Sequence, residues 1–65
     1  MPTYNANYSL GIQKMPEGYD LMLADDTHYF WVERATERES SFHWDKWAVY
    51  RGAKKDALKK EGSDG

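Results

Sequence analysis

Apolar and polar positions alternate most clearly in Gly18–Arg34, GYDLMLADDTHYFWVER. Tyr19, Leu21 and Leu23 alternate with Gly18, Asp20 and Met22, the period of two of a strand. The run stops at Asp25-Asp26, residues that tolerate turn dihedrals. Tyr29-Phe30-Trp31-Val32, aromatic and β-branched throughout, supplies a return strand, so the segment predicts a β-hairpin. With a loop of two or four residues, Leu21 and Leu23 share a face with Phe30 and Val32, and Met22, Tyr29 and Trp31 point the other way.

Upstream, Tyr4, Ala6, Tyr8, Leu10 and Ile12 occupy every second position and predict a first strand with one buried face. Asn5 and Asn7 weaken its beginning, because their side chains compete for backbone hydrogen bonds. Met15-Pro16-Glu17-Gly18 predicts a chain reversal into the hairpin, with proline pre-setting one dihedral and glycine permitting a positive φ. Arg34–Ser41, RATERESS, is polar, of mixed charge and without periodicity. It reads as the connection out of the sheet, with room for a strand extension.

From about Phe42 or His43 to Lys60 the period changes. Phe42, Val49, Tyr50, Ala53 and Ala57 fall on one stripe at 3.6-residue spacing, with Trp47 and Leu58 along its edge. Ser40, Ser41 and, four residues later, Asp45 are rival N-caps; Lys59 and Lys60 suit the negative pole of the dipole, and Gly62 suits a stop. A competing reading makes Lys46–Arg51 a fourth strand that turns at Gly52 into a short helix. The single helix is preferred for its helix-forming alanines, leucine and lysines, with Gly52 letting it lie close to the sheet.

The expected fold is therefore α+β: a small three-stranded antiparallel sheet (β-β-β) followed by one C-terminal helix packed on one face. Leu21, Leu23, Phe30 and Val32 should face Val49, Tyr50, Ala53 and Ala57. Residues 1–61 read as one domain and 62–65 as a disordered tail.

Composition sharpens this picture in two ways. A 65-residue chain without cysteine has neither disulfides nor a thiolate metal site to offset a small core. Its ten aromatics outnumber its seven Leu, Ile and Val residues, so few large side chains must fill that core, and oligomerisation is the other common remedy. No stretch approaches the roughly 18–20 apolar residues of a membrane span, and the N-terminus lacks a signal-peptide pattern, so a cytoplasmic location is the default expectation. The net charge of −2 conceals an asymmetry: residues 1–45 carry three positive and eight negative side chains, residues 46–61 six and two.

Candidate chemistry is sparse. Asp20, Asp25, Asp26 and His28 could suggest a divalent metal, yet their spacing matches neither a calcium loop nor a zinc pattern, and a turn with a cross-strand pair accounts for them. His43 with Ser40 or Ser41 lacks a nucleophile motif, and so short a chain has little room to enclose a pocket; no enzyme activity and no cofactor are expected. Lys46, Arg51, Lys54, Lys55, Lys59 and Lys60, interleaved with Trp47 and Tyr50, have the composition of a nucleic-acid contact surface, opposed by the acidity of the remainder.

The aromatic strand carries more weight. Tyr29–Val32 makes both faces of its strand apolar in any register, and one helix covers only one of them. The reading is a non-enzymatic interaction or regulatory protein, self-associating as a homodimer or binding another protein. Met22, Tyr29 and Trp31 form its interface, and Asp20 and Glu33 its polar rim. Nucleic-acid binding through Lys46, Arg51, Lys54, Lys55 and Lys59 is the alternative.

Overall fold

A computed structural model describes residues 3–25 and 27–62. Strands β1 (Thr3–Asn5), β2 (Tyr19–Ala24), β3 (His28–Glu33) and β4 (Arg38–Glu39) form one antiparallel sheet in the order β1-β2-β3-β4. A short 3₁₀ helix (Asn7–Leu10) follows β1, and a helix, α1 (Lys46–Gly62), ends the described chain. The α+β class and the C-terminal helix agree with the sequence pattern; the sheet has four strands where three were expected.

The first strand is shorter than its alternation implies, and the two asparagines are the cause. Asn5 Oδ1 accepts the backbone N–H of Asn7 (3.0 Å), bending the chain out of the strand. Asn7 then holds the bend against β2, its Oδ1 accepting Leu21 N–H (2.7 Å) and its Nδ2 donating to Asp20 (3.2 Å). Of the alternating residues, Ala6 and Leu10 are buried, whereas Tyr8 is exposed and Ile12 is 94% exposed. The reversal before β2 forms as its residues predict: Gly18 adopts φ +90° and Tyr19 N–H donates to Pro16 O (3.0 Å).

The fourth strand lies in the polar connection. Glu33 pairs with Arg38 and Val32 with Glu39, and farther along β3 Tyr29 pairs with His43. Between these pairings β3 supplies Phe30 and Trp31, and the opposing segment Ser40, Ser41 and Phe42. The extra residue makes a β-bulge, in which Ser40 Oγ accepts Trp31 N–H (2.9 Å) and Ser40 N–H donates to Trp31 O (3.0 Å). Phe42 and His43 therefore extend along β3 and do not start the helix. Asp45 is the cap that operates, its carboxylate accepting Trp47 N–H (2.9 Å), and the helix continues without interruption through Gly52. No strand forms at Lys46–Arg51.

Register is the largest correction. The β2–β3 loop holds three residues, 25–27, so Tyr19 pairs with Glu33, Leu21 with Trp31, Met22 with Phe30 and Leu23 with Tyr29. An odd loop moves every β3 side chain to the face opposite that expected. Tyr29 and Trp31 join Leu21 and Leu23 beneath α1, packed against a core of Ala6, Leu10, Leu21 and Val49, while Phe30 and Val32 join Met22 on the far face. From the helix, Val49 and Ala53 are buried, Tyr50 and Ala57 are partly buried, and Leu58 is exposed. Gly62, expected as the stop and first residue of the tail, belongs to α1; Asp26 and Ser63–Gly65 lie outside the described residues.

Candidate functional site

The face of the sheet opposite α1 has a defined composition. Met22 and Phe30 are cross-strand partners at its centre, with Asp20 and Val32 on one side of them and Ala24 and His28 on the other. The segment after the bulge adds two rings: Phe42 lies 4.9 Å from Phe30 and Trp44 lies 4.7 Å from His28, centroid to centroid. Phe30 is only 5% exposed, but the two rings that shield this face are themselves open to solvent, Phe42 at 57% and Trp44 at 76%. Among the described residues no helix or further strand packs on this side, since α1 makes its contacts with β2, β3 and the 3₁₀ helix. Arg34 and Asp20 close one end with an ion pair of 3.2 Å.

Of the three residues read as an interface, only Met22 lies on this face. Trp31 stands edge-on to Tyr19, ring centroids 5.2 Å apart, with the Arg38 guanidinium 5.7 Å from its centroid. Phe42 and Trp44 were missed because Phe42 fits the helical stripe and the bulge that redirects it has no strong sequence signal. Two adjacent serines before an aromatic are its only trace.

Glu33 is no rim residue. It is 3% exposed on the helix side, where Arg38 Nε (2.8 Å) and Thr36 Oγ1 (2.8 Å) donate to Oε1 and Lys60 Nζ donates to Oε2. Arg38 also donates to Asp56 Oδ2 (2.8 Å), which accepts the Tyr19 hydroxyl as well. Burial, reinforced by the hydrogen bond to Asp56, pushes the Tyr19 phenol up to about 12. The Asp56 carboxyl is held below its ordinary value, first by the Tyr19 hydroxyl and then by Arg38. This network ties β2, β3 and β4 to the last turns of α1.

The helix cations do not share one face. Lys46 Nζ lies 5.7 Å from the Trp47 ring centroid and Lys54 Nζ 5.3 Å from that of Tyr50, whereas Lys55 and Lys59 border a cleft beside Trp31, and Arg51 is exposed between the two groups. At the hairpin tip Asp25 and His28 approach to 3.6 Å, and Asp20 is engaged by Arg34 and Asn7; no three metal-ligating side chains converge among the described residues. Ser40 is occupied by the bulge, its hydroxyl donating to Ser41 O (3.1 Å). No described helix is long and apolar enough to cross a membrane.

No protein-family model, curated protein or solved structure matches the chain.

Proposed function

We propose that this chain is a non-enzymatic interaction protein that associates through the sheet face opposite α1, and that its first partner is a second copy of itself. The observation that carries the reading is the pair of exposed rings, Phe42 against Phe30 and Trp44 against His28, on the face that also carries Met22 and that no described element covers. Aromatics and a pliable methionine are the side chains that dominate binding energy at interface centres. A small chain without disulfides also gains from burying a second apolar face.

The experiment is light scattering over a concentration series on the wild type and on a Phe42→Ser/Trp44→Ser double variant. The wild type should double its mass as concentration rises, and the double variant should stay monomeric with an unchanged circular dichroism spectrum. A wild type that remains monomeric at millimolar concentration would rule out self-association. A second reading, nucleic-acid contact through α1, is favoured by the Lys46–Trp47 and Lys54–Tyr50 pairs. It is opposed by the dispersal of the cations around the helix and by the net −5 of residues 1–45. Tight binding to an oligonucleotide that survives physiological salt would place it first.

A further inference from the structure

A cleft on the helix side of the sheet, between α1 and β3, is lined by Trp31, Gly52, Lys55, Asp56 and Lys59. We propose that it binds a small phosphate monoester carrying a planar ring, the chemistry of a mononucleotide. This site is separate from the interface face and does not depend on it.

Three features of the cleft lead to this class of ligand. First, Gly52, Lys55 and Lys59 recur at helical spacing, so the two ammonium groups stand one turn apart over the gap left by the glycine. Neither lysine forms an ion pair within 4 Å among the described residues; the carboxylate between them, Asp56, feels the charge of Lys59 but has its hydrogen bonds with Arg38 and Tyr19, and Lys55 has no carboxylate so placed. The cleft therefore keeps an excess of positive charge in a chain whose net charge is −2. Second, the floor is the Trp31 indole, whose Nε1 lies 3.6 Å from where a Cβ on residue 52 would stand. That N–H makes no hydrogen bond among the described residues and is not fully buried, so an unused donor lies at the cleft wall beside Gly52. Third, the volume, about 480 Å³, exceeds the needs of a bare anion and suits a ligand with a ring.

An indole donor and two ammonium groups match a phosphate monoester, which carries about −1.5 to −2 charges near neutral pH. The Trp31 ring, with the Arg38 guanidinium 5.7 Å from its centroid and Tyr19 set edge-on to it, borders the space that the ligand's own ring would fill. A long polyanion is a poorer fit, because the acidic remainder of the chain repels it, whereas a single nucleotide meets only the local field.

The test is a titration of the whole chain with adenosine monophosphate, followed through the three indole N–H resonances assigned by NMR. The Trp31 signal should move, and those of Trp44 and Trp47 should not. Adenosine alone and inorganic phosphate alone should each bind about tenfold or more weakly, and Lys55→Gln with Lys59→Gln should weaken binding by a similar factor. Gly52→Ala places a methyl over the indole donor without a clash, so it should lower affinity while the unfolding midpoint holds or rises. Absence of a Trp31 shift at millimolar nucleotide overturns the site. So does undiminished affinity in Gly52→Ala, or shifts spread along Lys46–Lys59 that vanish at physiological salt. Equal binding by phosphate alone overturns the nucleotide assignment.

Discussion

Glu33 shows how a single side chain can be misjudged from its type. A carboxylate at a strand end reads as solvated, yet this one is buried and holds Arg38, Thr36 and Lys60, residues contributed by an edge strand, a turn and the end of the helix. Glu33→Ala should destabilise the fold by about 2 kcal/mol in urea unfolding. That is below the ~3–5 kcal/mol of a fully buried pair, because Arg38 and Lys60 are each about half exposed and can rehydrate. Tyr19 and Asp56 give the same network a pH signature. The folded chain holds the Tyr19 proton more tightly, so that contribution is complete below pH 10.0, the ordinary phenol value, and is lost as pH rises towards 12. Asp56 acts in the opposite sense: its contribution is present above its ordinary value of 3.8 and is lost as pH falls below it. Tyr19→Phe should cost about 1 kcal/mol at neutral pH and flatten the alkaline limb, and Asp56→Asn should flatten the acid limb, both visible in unfolding midpoints measured across pH. None of this network was legible in the sequence, since its members meet only once α1 lies on the sheet, the Tyr19–Asp56 contact alone spanning 37 residues.

At the scale of elements, legibility depended on how local the determining signal was. The expected helix matches the structure over Lys46–Lys60, where Val49, Tyr50, Ala53 and Ala57 repeat at helical spacing, but not at its start, where Phe42 fits the same stripe and yet lies on the sheet. Asp45 is the cap that operates, and Asp45→Ala should cost about 1 kcal/mol and fray the first turn, measurable by circular dichroism and urea unfolding. The hairpin was read correctly as a hairpin but in the wrong register, because one residue in the loop decides which face β3 presents, and Asp-Asp-Thr does not announce its own length. The β3–β4 turn, 34–37, lies in the segment that reads as a connection with room for a strand extension, and, for a related reason, its sequence does not mark where the chain reverses. It closes through Glu37 N–H donating to Glu33 O (2.7 Å), with Glu37 at φ +61°, a conformation that glycine usually supplies. Glu37→Gly should accordingly stabilise the chain by about 0.5–1 kcal/mol, less whatever the freer unfolded chain takes back; a fall in the urea midpoint would show that the Glu37 side chain contributes more than its backbone costs.

For the whole molecule, the layering of helix on sheet does not depend on the register of β3. Four consecutive large apolar residues in β3 guarantee that both faces of the sheet are apolar, and one helix covers one face, whichever residues occupy it. What register and bulge change is the identity of the anchors. Trp31 packs with Tyr19 on the core side, while Phe42 and Trp44 stand on the open side. The two tryptophans should therefore respond oppositely to the same substitution. Trp31→Ser removes a partly buried ring from beneath α1 and should destabilise the fold by about 3 kcal/mol, near the low end for large-to-small core changes. Trp44→Ser removes a ring that is mostly in water, so monomer stability should change by less than about 0.5 kcal/mol while association weakens. Urea unfolding at low concentration isolates the first effect, and light scattering at high concentration the second. If Trp44→Ser destabilises the monomer as much as Trp31→Ser does, then the segment after the bulge is part of the core, and the sheet face opposite α1 is closed by the chain's own residues.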